Sequence, residues 1–142
     1  MSQVIVIDGM GGGIGSQIIS QLQPAIDAHG KVEVVALGTN SAATTSMVKA
    51  GAQRGATGEN AICYCAGRAD IIIGPLGIII PHSMLGEITP AMAAAVVASK
   101  AKKFLLPINQ PHVELIGISA VPLATLLKEL VSRVQAEWKM GN

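Results

Sequence analysis

Five of the seven residues that follow Asp8 are glycine, in the stretch Asp8-Gly9-Met10-Gly11-Gly12-Gly13-Ile14-Gly15. A residue without Cβ lets backbone N–H groups come close to an anion. A helix beginning near Gly13 adds its own unpaired N–H groups and the positive end of its dipole. Gly9, Gly11, Gly12, Gly13 and Gly15 are therefore the expected backbone donors of a cofactor or ligand site. The guest of such a site is a nucleotide, a dinucleotide or a phosphorylated small metabolite, with NAD(P) or another nucleotide as the cofactor class. The competing account is a tight strand-to-helix turn that needs glycine only for packing. Asp8 complicates the first account. Two like charges about 5 Å apart at an effective dielectric of about 20 repel by about 3 kcal/mol, and a helix dipole returns only about 0.3 to 2 kcal/mol. Asp8 is thus expected to turn into the loop and accept backbone N–H bonds, with a divalent cation or a ligand hydroxyl as the other partners open to it.

Other residues stand where chemistry could be done. Thr39 and Asn40 follow an apolar run and are placed to reach sugar hydroxyls, and Asn109 is placed to face the ligand from a neighbouring strand end. Arg54-Gly55-Ala56-Thr57-Gly58-Glu59-Asn60 is either a second anion loop or, as the plainer account, an ordinary helix start capped by Thr57. His82, Ser83 and Glu87 contain the ingredients of acid–base or nucleophilic work without any signature spacing, so a lid or a subunit contact explains their loop better. Cys63 and Cys65 are two apart, and neither His82 nor His112 stands at a metal-ligand spacing from them; small buried hydrophobes are the better account, and no metal site is expected. Catalytic residues remain unassigned.

The elements that must position these residues read as alternating strands and helices. Val4–Ile7 and Val32–Leu37 are apolar, β-branched runs of the kind buried on both faces of a sheet. Between them Ile14, Ile18, Ile19, Leu22 and Ile26 recur at helical spacing, with Pro24 predicting a kink or an early end and Gly30 closing the helix. A weaker helix follows from Asn40 or Ser41 to about Ala50, and a further one lies within Thr57–Arg68. Asp70–Ile73 is a strand broken by Gly74, Pro75 and Gly77, with a short apolar run at Ile78–Ile80. Thr89-Pro90 opens a helix through Ser99. Lys103–Ile108 and Val113–Ile118 read as two more strands too close for a helical crossover, hence a hairpin with an antiparallel edge. Pro107 marks an edge or a strand end. The clearest helix comes last, with Leu123, Leu126, Leu127, Leu130, Val131, Val134 and Trp138 on one face. This alternation predicts one α/β domain over residues 1–142, a Rossmann-like three-layer sandwich with a mostly parallel sheet.

The spacing Gly9-x-x-x-Gly13-Ile14-Gly15 resembles the cofactor-binding turn of short-chain dehydrogenases. Gly38-Thr39-Asn40 stands after the second strand where an acid would hold a ribose, and the only tyrosine, Tyr64, has Arg68 four residues on. Taken whole, the chain resembles a family of small bacterial proteins known only as a domain of unknown function. The matching stretches are Ile7–Gly15, Ala36–Asn40, Arg54–Ala61, Ala69–Ile80, Ser83–Met92 and Leu106–Asn109. That resemblance implies a Rossmann-like fold and carries no activity.

Composition sets the outer limits. Of 142 residues, 50% are hydrophobic and 13% charged, against about 25% charged in an ordinary domain. A chain of this size cannot hide so much apolar surface alone, so burial between subunits, a homo-oligomer, is expected. Aromatics are 2% and net charge is +1, which disfavours nucleic acid as a partner. The most apolar stretch, Ile71–Ile80, is too short for a membrane span, and the two cysteines fit reduced thiols in the cytoplasm. Two functions follow: a small-molecule-binding protein at the glycine turn, or a non-catalytic oligomeric regulator or assembly protein on the same scaffold.

Overall fold

The computed structural model describes residues 1–108 and 110–140. Its strands are β1 (Ser2–Asp8), β2 (Val32–Gly38), β3 (Arg54–Thr57), β4 (Ile71–Pro75) and β5 (Lys102–Leu106). Its helices are α1 (Gly13–His29), α2 (Ser41–Lys49), α3 (Glu59–Ala66), α4 (Pro90–Ala98) and α5 (Leu123–Met140), with a 3-10 turn over Leu76–Ile79. The strands form one sheet in the order β3-β2-β1-β4-β5, and every pairing among the described residues is parallel. That order is the Rossmann arrangement, with the direction of winding reversing between β1 and β4.

Because successive side chains on a strand face opposite ways, the central strands feed two separate cores. Val4, Val6, Val34, Ala36, Ile71 and Ile73 pack under α1, α2 and α5. Ile5, Ile7, Val35, Leu37 and Ile72 pack under α3 and α4. A fully apolar run is what burial on both faces requires. The register brings Asp8 beside Gly38, Gly38 beside Thr57, and Pro75 beside Leu106, so the carboxyl ends of all five strands open onto one edge of the sandwich.

Four expectations from the sequence need correction. The helix α1 runs on through Pro24 to His29; Pro24 and Ser20 are both exposed, so the carbonyl that loses its partner faces water. Arg54–Thr57 is an edge strand, not a loop, and Gly58, not Thr57, occupies the cap position of α3. The Val113–Ile118 strand and its antiparallel hairpin do not form: β5 pairs with β4 alone among the described residues. Pro107, Pro111, Gly117 and Pro122 interrupt that stretch, where proline cannot donate to a ladder and Gly117 takes a φ of 91°. Gly30 does close α1, in the left-handed conformation and donating to Ile26.

Candidate functional site

The strand β1 delivers Asp8 to the mouth of the sheet, and the chain then turns through Gly9–Gly12 into α1. The turn is closed by the Gly12 N–H donating to the Gly9 carbonyl at 2.9 Å. Gly12, the cap residue of α1, needs its lack of a side chain: its φ is +74°, and an added Cβ would meet the Ala43 backbone at 2.8 Å. Asp8 is buried and turned into the loop, its two oxygens accepting from the N–H groups of Gly9 at 2.8 Å and Gly15 at 2.7 Å. Burial pushes the Asp8 carboxyl above its ordinary value; the amides of Gly15, Gly9 and Ile14 pull it down, and the nearby charge of Glu87 pushes it up again.

Glu87 is the residue that sequence reasoning did not place here. It lies on the loop 81–89, which folds back on itself through His82 N–H to the Ile88 carbonyl at 2.7 Å and Ile88 N–H to the Ser83 carbonyl at 3.1 Å. The fully buried Ile88 pins its end. One Glu87 oxygen, Oε1, accepts from the Met10 N–H at 2.8 Å, from the Thr39 hydroxyl, and from the Asn40 side-chain amide at 3.2 Å. Asn40 also donates to the Met10 carbonyl at 2.9 Å and caps α2 by accepting from Ala43. Desolvation raises the Glu87 carboxyl, but the donors Thr39, Met10 and Asn40 outweigh it and hold it below its ordinary value. Thr39 and Asn40 thus do sit at the mouth of the sheet, engaged with a carboxylate of the same chain.

The five glycines divide into two kinds. At Gly9 an added Cβ would lie 2.6 Å from Thr39 Oγ1, 2.7 Å from Glu87 Oε1 and 2.8 Å from Met84 Sδ. At Gly15 it would press on Met47 and, at 2.9 Å, on Asp8. Gly9, Gly12 and Gly15 therefore serve packing, and their N–H groups bond inside the protein. Gly11 and Gly13 have nothing within 4 Å of the missing Cβ, and their N–H groups have no partner among the described residues. Both line a cavity of about 410 Å³. Its other walls come from Asp8, Gly9, Met10, Gly12 and Ile14, from Pro75 at the end of β4 and Gly77 beyond it, from Met84 and Leu85, and from Ile108, Gln110 and Pro111. It sits at the reversal point between β1 and β4, where open α/β sheets take their ligands.

Among the described residues five with side chains hold left-handed backbone: Met10 at φ 54°, His82 at 70°, Met84 at 59°, Leu85 at 56° and His112 at 61°. Three of these, Met10, Met84 and Leu85, are cavity walls. Leu85 is 91% exposed, so packing does not explain a leucine where glycine would relax the strain.

Asn109 lies outside the described residues; its neighbours Ile108 and Gln110 line the cavity. Ser83 is buried, with its hydroxyl 3.5 Å from Gln110 Oε1, while His82 is exposed. The Arg54–Asn60 stretch is bound up internally, Arg54 with Glu33 at 2.8 Å and the Thr57 hydroxyl with Thr44 at 2.7 Å. Cys63 and Cys65 are free, half-buried thiols, both pushed above their ordinary value by burial. Among the described residues no three His, Cys, Asp or Glu side chains gather as a metal site, and no helix is long and apolar enough to cross a membrane.

No curated protein matches the chain. Among solved structures it is similar to apo histidine-tagged saccharopine dehydrogenase (L-Glu forming) from Saccharomyces cerevisiae, at 13% identity and a TM-score of 0.49. The match covers 92% of this chain but 24% of that one, so nothing of that enzyme's chemistry carries over. A family model does match, over residues 3–139, nearly the full length. The chain belongs to the domain of unknown function DUF3842.

Proposed function

We propose that the chain binds a nucleotide or a phosphorylated small metabolite in the crevice between β1 and β4. The observation that carries this reading is the pairing, at Gly11 and Gly13, of an unpartnered N–H with an open face on the wall of one cavity. Two N–H groups beside the start of α1 suit an anionic acceptor. The walls Met10, Ile14, Met84, Leu85 and Ile108 suit an apolar body such as a base. A volume of about 410 Å³ falls within the range of small-molecule sites, about 300 to 1,000 Å³.

Thermal unfolding with a panel of nucleotides and sugar phosphates tests the reading. A ligand at about 100 times its Kd adds about 2.7 kcal/mol. The gain should vanish in Gly11→Leu, whose side chain enters the cavity while the protein's own melting point stays where it was. A panel at millimolar concentration with no stabilising member overturns the reading.

A second reading concerns assembly. Val113, Leu115, Ile116, Ile118 and Val121 are exposed on one stretch between β5 and α5. This apolar surface supports a homo-oligomer in which a second copy covers residues 113–121. The two free thiols support a reducing, cytoplasmic setting.

A further inference from the structure

We infer that Glu87 restricts the site to ligands no longer than one nucleotide, because its carboxylate fills the half of the crevice beside β2 where the rest of a dinucleotide would lie. This rests on the binding reading above and narrows it. In a doubly wound sheet a dinucleotide straddles the reversal point, its pyrophosphate runs over the glycine turn, and an acid after the second strand takes a ribose hydroxyl. Each of these three places is altered here.

The end of β2 carries Thr39 and Asn40; the Thr39 hydroxyl and the Asn40 side-chain NH2 already donate to Glu87, and the Asn40 Oδ1 is taken by the Ala43 N–H. A backbone donor of the glycine turn, the Met10 N–H, is taken by the same Glu87 oxygen at 2.8 Å. An ionised carboxylate only accepts hydrogen bonds, so a pyrophosphate arriving there meets a like charge in place of a donor. The face of Gly9, over which it would have to pass, is covered by Thr39, Glu87 and Met84, all within 2.8 Å of the missing Cβ. Glu87 is not a loose surface group: it adjoins buried Ile88, and its own N–H donates to the Met84 carbonyl at 3.1 Å. The cavity accordingly draws its walls from the ends of β1, β4 and the chain after β5, and none from the ends of β2 or β3. What remains open is one side of the crevice.

Titration of the full chain with AMP, nicotinamide mononucleotide, ribose 5-phosphate and NAD, followed by ligand-observed NMR, tests the restriction. At least one of the three shorter probes should bind tenfold or more tightly than NAD. Glu87→Ala, or Glu87→Ser where the first variant does not fold, should bring that ratio below threefold by raising the affinity for NAD. NAD binding the wild type as tightly as the best short probe overturns the restriction and leaves the binding reading standing. A folded Glu87 variant with an unchanged ratio removes Glu87 from the role. No binding by any probe overturns the binding reading and the restriction with it.

Discussion

Asp8 and Glu87 take donors that a bare glycine turn would offer to an anion, and they do so by different routes. Asp8 is placed by its own strand and bonds the N–H groups of Gly9 and Gly15. The charge argument from sequence anticipated this, since a carboxylate facing a phosphate loses more by repulsion than a helix dipole returns. Glu87 arrives from 77 residues beyond Met10, and no local pattern marks it. Substitution should separate the two kinds of glycine. Gly12→Ala, at positive φ and against the Ala43 backbone, should cost about 1 to 3 kcal/mol in urea unfolding. Gly13→Ala, in open space at the first turn of α1, should add about 0.4 to 1 kcal/mol. Equal losses at both would mean that the turn is packed throughout. The carboxylates also give stability a pH dependence of opposite signs. Glu87 is held below its ordinary 4.5, so its contribution is present above that value and is lost as pH falls through the lowered one. Asp8 is held above its ordinary 3.8, so its contribution is present below that value and is lost as pH rises through the raised one. Comparing wild type with Glu87→Gln isolates the first: the melting-point gap should favour the wild type at neutral pH and close in acid. A gap independent of pH would show that the carboxylate's charge contributes nothing to the clasp.

Strands buried on both faces announce themselves, and β1, β2 and β4 were legible for that reason. The edges were not. Arg54–Thr57 is mostly exposed and polar, and becomes a strand because β2 offers an unpaired ladder, a tertiary cause that its composition does not carry. Val113–Ile118 has the β-branched composition of a strand but no ladder to join, and prolines on both sides keep it from docking on β5. The starts of α2 and α4 are legible because their caps, Asn40 and Thr89, act locally, whereas α3 is capped by Gly58 and not by the expected Thr57. Thr89 accepts from the Met92 N–H at 3.1 Å and donates to Glu59 at 2.6 Å, tying the starts of α4 and α3 together. Thr89→Ala should therefore cost about 0.5 to 2 kcal/mol, measurable by denaturant unfolding. Thr89→Ser, which keeps the hydroxyl, should recover most of it. A loss no smaller for serine than for alanine would assign the effect to the methyl group instead of the cap.

The sparse charge of the chain acquires a location once the fold is known. The two cores absorb the apolar strands and helix faces, yet Ile116 is 92% exposed and Ile118 56%, on a stretch between β5 and α5 that belongs to neither core. Leaving such side chains in water forgoes about 25 cal/mol for each Å² of apolar surface, and a stable interface of standard size buries about 1,600 Å² in total. A second copy closing over residues 113–121 would recover that area and would stand next to the cavity, since Gln110 and Pro111 are among its walls. The wild type should then scatter light as an oligomer at about 100 μM, with a melting point that rises with concentration, as mass action requires. Replacing both Ile116 and Ile118 with Asp should yield a monomer whose melting point no longer depends on concentration. Its far-ultraviolet dichroism should be unchanged, because neither side chain belongs to a core. A wild type that scatters as a monomer throughout that range removes the assembly reading. In that case the exposed isoleucines would need another cover, and the cavity beside them would have to hold its ligand without help from a neighbouring subunit.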